Sequence, residues 1–105
     1  MTPTLESEIE SITAQLIEKY NPEKIILFGS AARGDASPDS DLDFLIIKND
    51  TPHKGRDRMI QVSRLIDRNL PADFLVYRTE EVEKRLAMGD PFLEMIMAEG
   101  KVLYG

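Results

Sequence analysis

Leu27-Phe28-Gly29-Ser30-Ala31-Ala32-Arg33-Gly34-Asp35-Ala36-Ser37-Pro38-Asp39-Ser40-Asp41-Leu42-Asp43-Phe44-Leu45-Ile46-Ile47 is the stretch that decides the fold. An apolar run enters a small, hydroxyl-bearing turn at Gly29-Ser30. Ten residues later a second apolar run opens with Asp41 and Asp43. Carboxylates two residues apart on a strand project from one face, with Cα atoms roughly 6.6 Å apart. Two such anions repel each other and sit poorly beside an apolar core, and a divalent cation between them removes that cost. Aspartate and serine oxygens suit hard Mg²⁺, which is commonly held by one or two carboxylates together with substrate phosphates. The pattern points to metal-assisted phosphoryl or nucleotidyl transfer. A structural role for the pair, with Asp41 capping the strand and Asp43 facing water, leaves Gly29-Ser30 unexplained.

The elements around this stretch follow from periodicity and punctuation. Lys24 to Phe28 reads as a buried strand, Ser30 to Arg33 as a short helix closed by Gly34, Asp35 to Ser40 as a turn, and Asp41 to Lys48 as a second strand. Upstream, Leu5, Ile9, Ile12 and Leu16 form one apolar stripe, predicting a helix over 4–20 that Asn21-Pro22 ends. Thr4 suits its N-cap, or Thr2 with Pro3 at the first helical position; Glu6 and Glu8 then lie near the positive end of the dipole. Downstream, Asn49 to Gly55 is a loop. Arg56 to Asn69 reads as a helix burying Met59, Val62 and Ile66, and Pro71 to Tyr77 as a third strand. Thr79 is expected to cap a helix ending near Gly89. Asp90-Pro91 starts another, with Phe92, Met95 and Ile96 on its buried side. Gly100 stops it, and Lys101 to Tyr104 suits a last strand.

Composition narrows the possibilities. A chain of 105 residues, 42% hydrophobic and 30% charged, fits one domain over residues 1–105 of ordinary globular character. A formal net charge of −6 argues against broad binding to nucleic-acid backbones, which needs clustered Lys and Arg, but leaves room for one nucleotide bound through metal. The absence of cysteine excludes disulfides, thiolate catalysis and Cys-based zinc sites. No apolar run approaches the roughly 20 residues needed to span a membrane, and the N-terminus lacks a secretory pattern, so a cytoplasmic location is expected.

Asp73 opens the third strand ahead of Phe74, Leu75 and Val76. It joins the acidic pair if that strand lies beside the Asp41–Ile47 strand, giving three carboxylates able to hold two metals; otherwise it is an edge-strand polar residue. Gly29 allows close backbone approach, and the following turn offers N–H groups and the Ser30 hydroxyl to a phosphate. Arg33 suits either a phosphate or a pairing with Asp35 or Asp39 that holds the loop. Ser40 suits either the turn or the neighbourhood of the metal. Asp35, Asp39 and the lone His53 read as solvated loop residues. Lys54, Arg56, Arg58, Arg64 and Arg68, interspersed with Asp57 and Asp67, read as a solvated helix face. Met88 and Met97 suit packing on another chain.

Gly29-Ser30 with Asp41-x-Asp43 at this spacing, together with Ala32-Arg33-Gly34 and Ser40-Asp41, resembles the minimal nucleotidyltransferases of the DNA polymerase beta superfamily over nearly the whole chain. The resemblance implies an α/β (α+β) nucleotidyltransferase fold, a mixed β-sheet flanked by helices. It implies Mg²⁺ on Asp41, Asp43 and Asp73, and the triphosphate of ATP held at Gly29 and Ser30, with Arg33 as a further candidate. Asp73 stands nearest in kind to the superfamily's base position. The acceptor is left open. Larger relatives add a helical acceptor domain, which this chain, ending at Gly105, is not expected to contain. Short members often pair with a small helical HEPN ribonuclease toxin, which implies an antitoxin that transfers AMP to a tyrosine of that toxin. Two alternatives stand beside it: an idle domain that inhibits the toxin by steric cover, and a stand-alone transferase acting on an antibiotic hydroxyl.

Overall fold

The computed structural model describes residues 4–37 and 39–105. Helix α1 spans Leu5–Gln15 and passes into a π-helical turn at Leu16–Tyr20. Strand β1 (Lys24–Phe28), helix α2 (Ser30–Arg33) and strand β2 (Leu42–Ile47) follow, then α3 (Gly55–Leu65), β3 (Ala72–Tyr77), α4 (Thr79–Ala87), α5 (Pro91–Glu99) and β4 (Lys101–Tyr104). The four strands lie in the order β3-β2-β1-β4. β1 runs antiparallel to both β2 and β4, while β2 and β3 are parallel. A parallel neighbour needs a crossover rather than a hairpin, and α3 supplies it. The expected mixed sheet flanked by helices is the fold found.

Both faces of the sheet are covered. Leu42, Phe44 and Ile46 pack with Ile25, Leu27, Phe74 and Val76 under Ile12, Leu16, Tyr20, Val62 and Ile66 of the α1–α3 side. Leu45 and Ile47 pack with Ile26 and Phe28 under Val82 of α4 and Leu93 and Ile96 of α5. Two covered faces explain why β1 and β2 read as continuous apolar runs rather than as alternating strands. Among the described residues no helix is long and apolar enough to cross a membrane.

Thr4 is the N-cap of α1, its hydroxyl accepting from the Ser7 N–H at 3.0 Å; the alternative start at Thr2 and Pro3 lies outside the described residues, as does Pro38 of the Asp35–Ser40 turn. Glu8 lies in the first turn of α1 as expected and is also buried, its carboxylate accepting from the backbone N–H groups of Asn69 and Leu70. That contact, with Gln15 bridging the backbone N–H and C=O of Asp67, draws residues 67–70 off the helical path. Accordingly α3 stops at Leu65 instead of reaching Asn69. Met59, expected on the buried side, is 41% exposed, and Arg58, expected on the solvated face, is buried in its stead beside Val62. The N-cap of α4 is Arg78, not Thr79. The Glu81 carboxylate accepts from the Arg78 N–H at 2.7 Å, while the Thr79 N–H donates to the Asn49 side chain. In α5 the buried pair is Leu93 and Ile96; Phe92 points outward, and Met95 is half-buried.

Candidate active site

Strand register assembles the site. Phe28 lies directly across from Asp43 in the antiparallel β1–β2 pair, and Asp43 lies across from Asp73 in the parallel β2–β3 pair. Residues so matched project from one face. The face toward α4 and α5 therefore carries three successive rows: Phe28–Asp43–Asp73 at the end of the sheet, then Ile26–Leu45–Leu75, then Lys24–Ile47–Tyr77. The strand containing Asp73 does lie beside that containing Asp43, which sequence alone left conditional. Asp41 precedes β2 and is exposed, Asp73 is exposed, and Asp43 is half-buried between its neighbours.

The central carboxylate feels its neighbours. Burial, followed by repulsion from Asp73 and then from Asp41, pushes the Asp43 carboxyl above its ordinary value. No lysine or arginine side chain forms an ion pair with any of the three among the described residues. Nor do three acidic or histidine side chains stand at metal-holding separation among the described residues. The row is thus an acidic end of a sheet lacking an internal counter-charge, made of oxygen donors of the kind Mg²⁺ prefers. By its chemistry the donor set fits such an ion.

Gly29 occupies a backbone region open in practice to glycine alone, with φ 76° and ψ −157°. A Cβ there would stand 2.5 Å from the Asp43 Oδ2 atom. The glycine therefore lets the β1–α2 turn press against the central carboxylate. Its carbonyl accepts from the N–H groups of Ala32 and Arg33, starting α2. The N–H groups of Ser30 and Ala31, first in that turn, have no intrahelical partner by geometry.

The remaining candidates separate. Arg33 leans on carboxylates, with its Nε 3.4 Å from Asp35 and a terminal nitrogen 3.9 Å from Glu99 of α5. Ser40 serves the turn, its hydroxyl accepting from the Ser37 N–H at 2.9 Å. His53 is exposed and contributes its backbone carbonyl to Arg58. Sequence reasoning missed the Arg33–Glu99 contact, which nothing in the spacing reveals. It also missed the burial of Arg58, although the fourfold spacing Arg58–Val62–Ile66 carried that signal.

A glycine turn thus stands against a carboxylate row at one end of a mixed sheet. The nucleotidyltransferase domain model matches residues 9–104, and the chain belongs to that family. Among solved structures it is similar to a candidate nucleotidyltransferase from Sulfolobus solfataricus. The two are 32% identical, with 76% of this chain and 78% of that one covered and a TM-score of 0.54. It is also similar to a structure described as a toxin–antitoxin with AMP-PNP, at 21% identity over 91% of this chain and 73% of that one, with a TM-score of 0.58. At that identity the second likeness is one of fold. No curated protein matches the sequence.

Proposed function

We propose that residues 1–105 act in the cytoplasm as one Mg²⁺-dependent nucleotidyltransferase domain that moves AMP from ATP to a hydroxyl, the acceptor being a tyrosine of a helical HEPN toxin. The observation that carries the transfer reading is the in-register row Phe28–Asp43–Asp73 with Gly29 pressed against Asp43. The likeness in fold to a toxin–antitoxin structure with AMP-PNP supports a toxin as partner.

Asp41, Asp43 and Asp73 would hold Mg²⁺, which when bound stabilises negative charge on the reacting phosphate. Gly29 and Ser30 bind the triphosphate through backbone N–H groups and the Ser30 hydroxyl. Arg33 steadies α2 through Asp35 and Glu99, and either partner can release it toward phosphate. The acceptor oxygen attacks the α-phosphorus as the bond to the β-phosphate oxygen breaks. Pyrophosphate leaves, and Asp73, the more exposed of the paired aspartates, takes the hydroxyl proton.

Incubation with ATP, Mg²⁺ and the cognate toxin should add one AMP per modified tyrosine, read by intact-mass spectrometry of the separated toxin. The modified toxin should stay inactive once this chain is removed. An unmodified mass, with inhibition that ends on separation and survives Asp41→Asn, would replace transfer by steric cover.

A further inference from the structure

Phe92 is an aromatic side chain held in place yet left open. Pro91 occupies the first helical position of α5, and the Asp90 carboxylate accepts from the Phe92 and Leu93 N–H groups at 2.9 and 3.2 Å. These contacts fix the backbone on which the ring stands. Its neighbour Leu93 is fully buried, whereas Phe92 remains 39% exposed. The ring meets Phe28 edge-on, with centroids 5.8 Å apart and planes at 87°. An edge-to-face contact leaves most of one ring's surface available to another flat partner.

The location of this ring gives it meaning. Phe28 is the residue directly across from Asp43. From Phe92 through Phe28 to Asp43 and Asp73, the end of the sheet presents an aromatic wall on one side and acids on the other. Phe92 touches Phe28, and Phe28 pairs directly with Asp43, so one residue separates the exposed ring from the central carboxylate.

We propose that Phe92 is a binding residue for the donor nucleotide, presenting its ring as the platform on which the nucleobase stacks. This rests on the carboxylate row being the nucleotide site. Stacking on an aromatic face tolerates any base, because every base has a π-face. Phe92 therefore adds affinity for the nucleoside half of the donor, while Gly29 and Ser30 serve the phosphate half.

The test is calorimetric titration of the full chain with ATP and with inorganic tripolyphosphate, each in Mg²⁺. Phe92→Leu keeps an apolar contact to Phe28 and removes the ring. It should weaken ATP fivefold or more while leaving tripolyphosphate affinity unchanged; Phe92→Tyr should retain the parent's affinity for both. Equal losses for both ligands in Phe92→Leu would make Phe92 a structural support, and unchanged ATP affinity would remove it from the site; either result overturns the proposal alone. A parent chain that binds neither ligand overturns the transferase reading and this proposal with it.

Discussion

The two ends of the sheet handle charge in opposite ways. At the far end, past the last residues of β2 and β3, Arg58 is 2% exposed and every direction of its guanidinium is answered. It donates to the carbonyls of His53 and Val76 at 3.0 and 3.2 Å and to both oxygens of Glu81 at 2.6 and 3.2 Å. Thr51 joins the same corner, its hydroxyl 3.1 Å from that of Tyr20 and its carbonyl accepting from Arg78 at 2.7 Å. At the near end Asp43 is repelled by Asp73 and Asp41, none of them in an ion pair among the described residues, and a glycine holds a backbone conformation that other residues avoid. One end ties a loop, a strand and a helix together through paired polar groups, with the buried Arg78 Nε left without a hydrogen-bond partner among the described residues. The other stores repulsion between like charges. One end is held by a buried charge pair, and the proposed site lies at the end where like charge and backbone strain cost stability.

The sharpest way to break this contrast is Asp43→Asn. Nucleotide transfer should fall by about a hundredfold to a thousandfold, the scale of losing a main electrostatic contributor. The same change should raise the thermal midpoint of the metal-free chain near neutral pH. The sign follows from the raised carboxyl value: the folded state disfavours ionised Asp43, so the penalty is present above its folded pKa and absent below the ordinary value of 3.8. A transfer assay and a melting curve on one preparation check both halves; a lower midpoint in the metal-free variant would contradict the picture of stored repulsion.

The far end is tested by Glu81→Gln. It leaves the buried Arg58 charge without its carboxylate and should cost about 3 kcal/mol, the lower end for breaking a buried pair because Glu81 retains some contact with water. Urea denaturation measures it. In the parent chain the hydrogen bond from Arg58 holds the Glu81 carboxyl below its ordinary value of 4.5. Its contribution is therefore full above pH 4.5 and disappears as pH falls through the lower folded value. Acid titration of stability should lose this component in Glu81→Gln.

Smaller effects sharpen the near end. Gly29→Val forces a disfavoured backbone region and drives a side chain into Asp43, costing about 1–3 kcal/mol of stability from backbone strain alone. ATP binding should fail along with it. Ser30→Ala should leave stability unchanged and cost about 1.5–3 kcal/mol of ATP affinity, one hydrogen bond to a charged group. ATP binding by Gly29→Val as tight as the parent's would place the phosphate elsewhere.

Much of this was written in the chain. The Gly29-Ser30 to Asp41-x-Asp43 spacing, the apolar runs and the caps at Thr4 and Asp90 are local signals, because turns, caps and strand alternation depend on residues a few positions apart. They were enough for the class of fold, for the acidic pair and for the order of the elements. Where α3 ends, by contrast, was decided by Glu8 and Gln15 reaching across more than fifty residues to capture the backbone of residues 67–70. The meeting of Asp73 with Asp43 was decided by a parallel pairing that no local preference encodes. Phe92 looked like core by composition and faces outward because Leu93 and Ile96 fill the space above the sheet. Arg58 looked like surface and is buried because Glu81, twenty-three positions later, brings it a carboxylate. Sequence determines what each segment prefers; which distant groups satisfy one another's charges and backbone hydrogen bonds is settled only when the segments pack.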